Sequence, residues 1–335
     1  MTDPTLLFPL PVLRERVRVR VFVLDREMIL CLGTTPTAQR TLIFERVTLD
    51  AVNRAAEVHE HASGKSVNVA RVAHSLGEPV LATGFLGGDR GEFIRRELDR
   101  AGIAHDFVTV LPQTRLCTTV VDRSNRTATE LVEESAAVGA ADWQRLTDIF
   151  SSAVRRAKLC VFSGSLPPGG PPHFYADCVR IAEAAGCPVI LDARGEPLRL
   201  AMPLPGLTIK LNREELAATL GIPLADDPSL RDGIRRSNPP GGATIVTLGR
   251  PGAVAYDGTT FWKISSPRVE TISAVGSGDA FAAGFAVGTV RGRPFPEACA
   301  LGGSCGAANA MTPLSGHIDP QRVPGLLAEV AVTEW

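Results

Sequence analysis

Four consecutive residues, Gly276-Ser277-Gly278-Asp279, carry the sharpest chemical signal in the chain. Two glycines flank a serine just ahead of an Ala/Gly/Phe-rich helical run. Glycine lets backbone N–H groups approach a ligand closely. A helix N-terminus adds positive partial charge, so the segment suits a phosphate. Asp279 falls in the first turn, where a carboxylate could accept a hydroxyl proton while the amides hold a transferring phosphoryl group. The same residues also fit a plain helix start with a glycine turn and a stabilising acidic side chain. Asn212 and Glu215 are three apart and share one helix face. On the residues alone they read first as a capping pair, with Glu215 at the third helical position.

Two other patterns carry less. Gly64-Lys65-Ser66 looks like the end of a phosphate-binding P-loop, but its first glycine would fall at His59 and no apolar strand precedes it, which excludes a P-loop. His59 and His61 would point the same way on a strand. No third ligand has suitable spacing, so exposed lid histidines are expected rather than a metal site.

Short apolar runs alternating with helical patterns must position these residues. Strands are expected at Val80–Thr83, Leu159–Phe162, Pro188–Asp192, Leu207–Lys210 and Thr244–Thr247. Helices are expected over Glu92–Ala101, Tyr175–Ala185 and Arg213–Leu220, each followed by glycine, and two more run from about Ser277 and Pro296. Such alternation predicts an α/β fold with a largely parallel sheet and helices on both faces. Residues 39–61 and 114–132 alternate with period two instead, and read as edge hairpins or as a small β lid over the site. In residues 1–27, Arg14, Arg16, Arg18 and Arg20 alternate with Val17, Val19 and Val21 and break the uninterrupted apolar stretch that a signal peptide needs. Met28 is the expected natural start, with 1–27 an extension outside the fold and 28–330 a single domain.

The 335 residues are 44% hydrophobic, ample for a sizeable core. Lys and Arg number 35 against 36 Asp and Glu, a net charge of −1. That balance gives no global field for nucleic acid or an anionic membrane, and neither is expected as a partner. No apolar run reaches membrane-spanning length. Seven cysteines without a C-x-x-C pair read as apolar core residues in a reducing cytoplasm.

Val275-Gly276-Ser277-Gly278-Asp279 resembles the C-terminal signature of PfkB-type carbohydrate kinases, which have the ribokinase-like fold. Ser63-Gly64-Lys65-Ser66-Val67-Asn68-Val69-Ala70 is similar to their N-terminal signature, whose usual form is nearer G-G-K-G-x-N-V-A. Gly84–Asp89, Thr114-Arg115, Ser163–Gly169, Lys210–Leu216 and Thr247–Ala253 follow in the family's order. Asp50–Arg54 and Gly316–Asp319 bring the look nearest the 1-phosphofructokinase and tagatose-6-phosphate kinase branch. The resemblance runs from Met28 to about Asp319. It implies a three-layer α/β/α domain with a β lid, ATP and Mg²⁺ as cofactors, a monovalent cation as a further one, and a homodimer through the lid.

The resemblance also implies residue roles. Asp279 is the base, with Gly276, Ser277 and Gly278 around the phosphoryl group. Asn212 and Glu215 organise Mg²⁺ through water, a thin protein share that suits this ion. Lys210, Thr247, Gly249, Gly252, Gly303 and Asn309 lie along ATP. Gln39, Gly64, Lys65, Asn68, Arg115 and Ser165 face the sugar, with Arg115 and Ser165 on its existing phosphate and Lys65 adding a second positive charge. A planar guanidinium suits a phosphate. The expected reaction is phosphorylation of a hexose phosphate of the fructose-1-phosphate or tagatose-6-phosphate type. A kinase of a free sugar or nucleoside is the alternative enzyme. A non-catalytic sensor of sugar phosphates or nucleotides is the alternative from another class.

The departures cluster on the sugar side. The branch pattern N-P-x-x-D reads Thr35-Pro36-Thr37-Ala38-Gln39 here. Gln39 offers an acceptor oxygen but brings two donors and no charge. Ser63 and Ser66 replace glycines, each adding a hydroxyl where the backbone would hug the sugar. Altered sugar choice is the expected consequence.

Overall fold

A computed structural model describes residues 26–335. The extension expected over 1–27 lies outside the described residues except for its last two. Both of these already bond to the domain. Arg26 donates to the carbonyls of Ala185 and Gly186, and the Glu27 amide donates to the Arg156 carbonyl at 2.8 Å.

The described strands are β1 (Met28–Gly33), β2 (Thr37–Phe44), β3 (Glu57–Ser63), β4 (Val80–Leu86) and β5 (His105–Thr109). They continue as β6 (Arg115–Asp122), β7 (Thr127–Val132), β8 (Ala157–Ser163), β9 (Val189–Asp192) and β10 (Thr208–Asn212). The last are β11 (Ala243–Thr247), β12 (Ala253–Tyr256), β13 (Phe261–Ile264) and β14 (Val332–Glu334). The helices are α1 (Lys65–Ser75), α2 (Gly88–Arg100), α3 (Ala140–Ala153), α4 (Phe174–Ala184) and α5 (Gly195–Ala201). They continue as α6 (Arg213–Leu220), α7 (Asp227–Ser237), α8 (Ser277–Val290), α9 (Phe295–Ala310) and α10 (Val323–Glu329).

The large sheet runs β14-β13-β12-β11-β10-β9-β8-β1-β4-β5. It is parallel from β11 to β5, and β12, β13 and β14 add an antiparallel edge. Its strands are apolar on both faces because both are covered. Ile29 and Cys31 of β1 face a core shared with α1, α2, α8, α9 and α10. Leu30 and Leu32 face a second core shared with α3 to α7. The three layers follow from that two-sided burial. All seven cysteines are buried and free, as expected of apolar fillers.

The lid segments differ from two separate hairpins. β2 pairs antiparallel with β3 and parallel with β6, so one four-stranded sheet runs β3-β2-β6-β7. The expectation of two exposed lid histidines also fails in part. His59 is partly exposed, but His61 is buried. The last three residues of β3 stay paired with β2 but are buried, as the strand's exposed-to-buried progression shows.

Helices α8 and α9 approach closely because their contact faces are small. A Cβ at Gly284 would lie 2.7 Å from the Leu301 carbonyl and 2.7 Å from Cys305 Sγ. Backbone at that distance leaves no room for a methyl group. This seam fixes the start of α8, and with it Gly276–Asp279, against the sheet.

Candidate active site

The carboxyl ends of the parallel strands meet under the lid. β10 and β11 bring Asn212 beside Thr247, and β8 and β9 bring Ser163 beside Asp192. A cavity of about 1430 Å³ opens there, at the strand edge where ligands of open α/β sheets bind. The lid contributes Gln39, Arg115 and Glu130 to its wall. The Gly64 turn and α1 contribute Lys65 and Asn68, and the loop after β8 contributes Ser165. Lys210, Asn212, Glu215, Thr247, Gly249 and Gly252 line it too, with Gly303 of α9. Gly276, Ser277, Gly278 and Asp279 are part of the same wall.

Asn309 is not brought to the cavity, contrary to its expected place near ATP. It is fully buried, with its Nδ2 donating to the Val275 carbonyl at 2.8 Å and its Oδ1 accepting the Gly316 amide at 2.8 Å. Its Nδ2 also donates to Ser277 Oγ at 3.3 Å, so the amide acts as a structural clamp on the turn before α8. Ser66 departs from expectation as well. It is buried, and a Cβ at Gly33 would lie 2.3 Å from its Oγ, so its side chain packs on β1 rather than against a sugar.

The start of α8 is a tight cradle. Gly276 is left-handed, with φ of 82°. The Ser277 amide is already donated to the Ala274 carbonyl at 3.1 Å. Among the described residues no acceptor takes the amides of Gly276, Gly278 or Asp279. The free donors therefore flank Ser277 rather than include it. A Cβ at Gly278 would lie 2.9 Å from Lys210 Nζ, so the ammonium sits directly over the turn. Unclaimed amides under an ammonium are the donor set of a phosphate site, and the residues present fit the phosphates of a nucleotide.

Two lysines share one buried carboxylate that the sequence reading did not single out. Asp192 ends β9 with its side chain 1% exposed, and it accepts from Lys65 Nζ at 2.6 Å and Lys210 Nζ at 2.6 Å. Burial alone would raise its pKa, but the two ammonium groups outweigh burial and hold it at about 2. An aspartate closing the run Val189-Ile190-Leu191 at the site end of a parallel strand was the available signal. Lys65 also faces Glu215 at 3.5 Å. Its charge is compensated before any substrate phosphate arrives.

The capping reading of Asn212 and Glu215 is realised in full. Asn212 Oδ1 accepts the Glu215 amide at 2.8 Å, and Glu215 Oε2 accepts the Asn212 amide at 3.0 Å. Among the described residues no group of three or more His, Cys, Asp or Glu side chains could hold a metal ion. A divalent ion here would rest on Glu215, water and phosphate oxygens. That donor set fits magnesium, which keeps several of its waters.

Asp279 is buried and accepts from Asn68 Nδ2 at 2.8 Å. Burial raises its pKa to about 6, and Asp192 adds to the rise while Lys65, Lys210 and the Asn68 bond pull it down. A carboxylate near that value is mostly ionised at neutral pH, yet basic enough to take a proton. Gln39 is buried, with its Nε2 donating to Thr119 Oγ1 at 2.8 Å. Its amide is thereby oriented. Arg115 donates to the Thr35 carbonyl at 3.1 Å, while its Nε is buried without a partner.

The layered fold with a lidded cleft at its strand ends is that of ribokinase-like kinases. Residues 26–321 match the model of the pfkB family carbohydrate kinases, and the chain belongs to that family. It is a sugar kinase, a phosphotransferase. It is similar over 92% of its length to 99% of a protein assigned as a phosphofructokinase from Staphylococcus aureus, with 25% identity and a TM-score of 0.74. A protein assigned as a 1-phosphofructokinase from Thermotoga maritima aligns with 92% of this chain and 100% of its own, at 22% identity and a TM-score of 0.85. Phosphofructokinase-2 from Escherichia coli, in a complex with potassium, aligns over 90% and 98% at 22% identity and a TM-score of 0.82. Among the described residues no helix is long and apolar enough to cross a membrane.

Proposed function

We propose that this kinase phosphorylates a hydroxyl of a hexose phosphate, with ATP as donor and Asp279 as general base. The observation that carries the reading is a buried Asp279, of raised pKa, directly beside free helix-start amides and the Lys210 ammonium. The sugar oxygen forms its bond to the γ-phosphorus as the bridging oxygen leaves with ADP, and the hydroxyl proton passes to Asp279. Gly276, Gly278 and Asp279 amides face the phosphoryl oxygens, where preorganised donors are most effective. Magnesium, when bound, screens the phosphate charge. Glu215 would hold it through water. The lid sheet closes the cleft from water, which disfavours hydrolysis of ATP.

Arg115 supports a phosphorylated sugar over a free one. Arg115 lines the cavity, and among the described residues its terminal nitrogens meet only the carbonyls of Thr35 and Glu133, so its charge is left for a substrate anion. Arg115→Met keeps the stem and removes the donors. Steady-state assays should show KM for a hexose phosphate raised roughly 10- to 100-fold, the size of lost hydrogen bonds to a charged group. Free sugars should be unaffected. An equal loss on both substrate classes would favour the free-sugar reading.

The pH profile has a defined sign. Asp279 must be ionised to accept a proton, and its pKa lies at about 6. Below that value kcat/KM should fall tenfold per unit of pH, and above it the acid limb should level off. A profile flat down to pH 4.5 would remove Asp279 as the base.

A homodimer through the lid is part of the same proposal. Every residue of β7, Thr127–Val132, is exposed at the sheet edge. Leu131 and Val132 add apolar surface there, and Val58 does so on β3 at the opposite edge of the sheet.

A further inference from the structure

A chain of buried hydrogen bonds leads away from Asp279, behind the sugar face. Asn68 of α1 donates to Asp279 Oδ2 at 2.8 Å. Ser63 Oγ, at the end of β3, donates to Asn68 Oδ1 at 3.0 Å. Ser63 Oγ lies 2.9 Å from Ser315 Oγ, and Ser315 Oγ lies 3.2 Å from His61 Nε2. All five side chains are buried.

The direction of every proton follows from the ends. An ionised carboxylate only accepts, so Asn68 must present Nδ2 to Asp279 and Oδ1 to Ser63. Ser63 has one hydroxyl hydrogen, and Asn68 takes it, so Ser315 donates to Ser63. Ser315 is then spent, so His61 donates from Nε2. This leaves His61 Nδ1 bare, and it is indeed buried without a partner. Burial, then Arg71, His317 and His59, holds His61 neutral as this tautomer requires.

We propose that Ser63, Ser315 and His61 are positioning residues that lock the Asn68 amide in the one orientation able to hold Asp279 ready for the sugar hydroxyl. This rests on the reading of Asp279 as base. Packing supports the lock. A Cβ at Gly316 would lie 2.5 Å from Asn68 Oδ1, so the loop after α9 presses on the amide. Asn309 ties the same loop to Val275, one residue before the base turn. Ser63 stands where the family resemblance expects glycine. Its hydroxyl acts on the base through Asn68, not on the sugar.

Ser63→Ala removes the donor that fixes Asn68. The freed amide can turn its oxygen toward the carboxylate, and Asp279 loses a bond that lowers its pKa. The groups facing Asp279 from its neighbours are Lys65 of α1, Asp192 of β9 and Lys210 of β10, and the variant changes none of them. We expect kcat to fall about tenfold, the size of one hydrogen bond to a charged group. KM for the sugar should stay within about twofold, and the acid limb of the kcat profile should move to higher pH. Ser315→Ala, one link further out, should show the same pattern more weakly. His61→Gln, which retains a terminal donor, should match the wild type, whereas His61→Phe should not. A folded Ser63→Ala enzyme with unchanged kcat and an unmoved acid limb would overturn the proposal. If that variant does not fold, wild-type values for Ser315→Ala would do the same. An inactive Asp279→Asn beside an unaffected Ser63→Ala would sink the chain alone, while an active Asp279→Asn would sink the base.

Discussion

Asp279→Asn should lower kcat by roughly 10²- to 10⁴-fold, the usual share of a positioned general base, while the protein stays folded and still binds ATP. Asparagine is nearly isosteric, so the α8 start and its amides persist. What disappears is the lone pair able to take a proton. The stability change should have the opposite sign to the activity change. Burial lifts the Asp279 pKa from an ordinary 3.8 to about 6. A raised carboxyl means that stability is lost as pH climbs from about 4 through 6, where the native state must ionise a buried group that the unfolded chain has already ionised. At neutral pH that penalty is roughly 3 kcal/mol. The neutral amide avoids it, so thermal unfolding should show an unchanged or higher Tm. A Tm well below wild type would mean that the activity loss reports damage to the fold.

The second large effect is expected at Asp192. Asp192→Ala leaves Lys210, whose side chain is 5% exposed, and Lys65, which is 37% exposed, without their shared partner. Removing one side of a buried pair costs about 3–5 kcal/mol because the other charge stays buried. Water reaches Lys65 and softens its share, so Lys210 dominates. For a domain of this length that corresponds to a Tm lower by roughly 5–8 °C. Two mutually repelling ammonium groups would also shift Lys210 off Gly278, so turnover should fall with stability. The pH dependence has the opposite sense to that of Asp279. The Asp192 pKa is depressed to about 2, so its contribution is present above pH 4 and is lost as pH falls toward 2. Urea unfolding at pH 7 and pH 3 would check this, with the gap between wild type and variant narrowing in acid. An equal gap at both pH values would contradict the ion-pair account.

These two carboxylates show what the sequence could reveal. Asp279 is legible because its chemistry is local: a left-handed glycine, free amides and a first-turn acid lie in four consecutive residues. Asp192 is not, because Lys65 lies 127 residues away and Lys210 18 away, and only the sheet brings them together. The parallel core strands are continuous apolar runs and were readable. The antiparallel strands β12 and β13 have four residues each, too few for a period to show. Helix α7 was hidden by Gly233 in its interior, which is small because Leu224 packs against it. The same limit applies to the sugar-side departures. That Ser63 and Ser66 replace glycines is visible in sequence. That Ser66 turns into β1 and Ser63 toward Ser315, 252 residues on, depends on tertiary packing.

The central claim is transfer of the ATP γ-phosphoryl group to a sugar hydroxyl with Asp279 as base. Phosphorus NMR of the wild-type enzyme with Mg-ATP and a panel of hexose phosphates, run beside Asp279→Asn, tests it most directly. The account predicts one new phosphate-ester signal per ADP formed with at least one hexose phosphate, and no such signal on the same timescale in the variant. Release of inorganic phosphate without a new ester, or the same ester at wild-type rate in the variant, would contradict it.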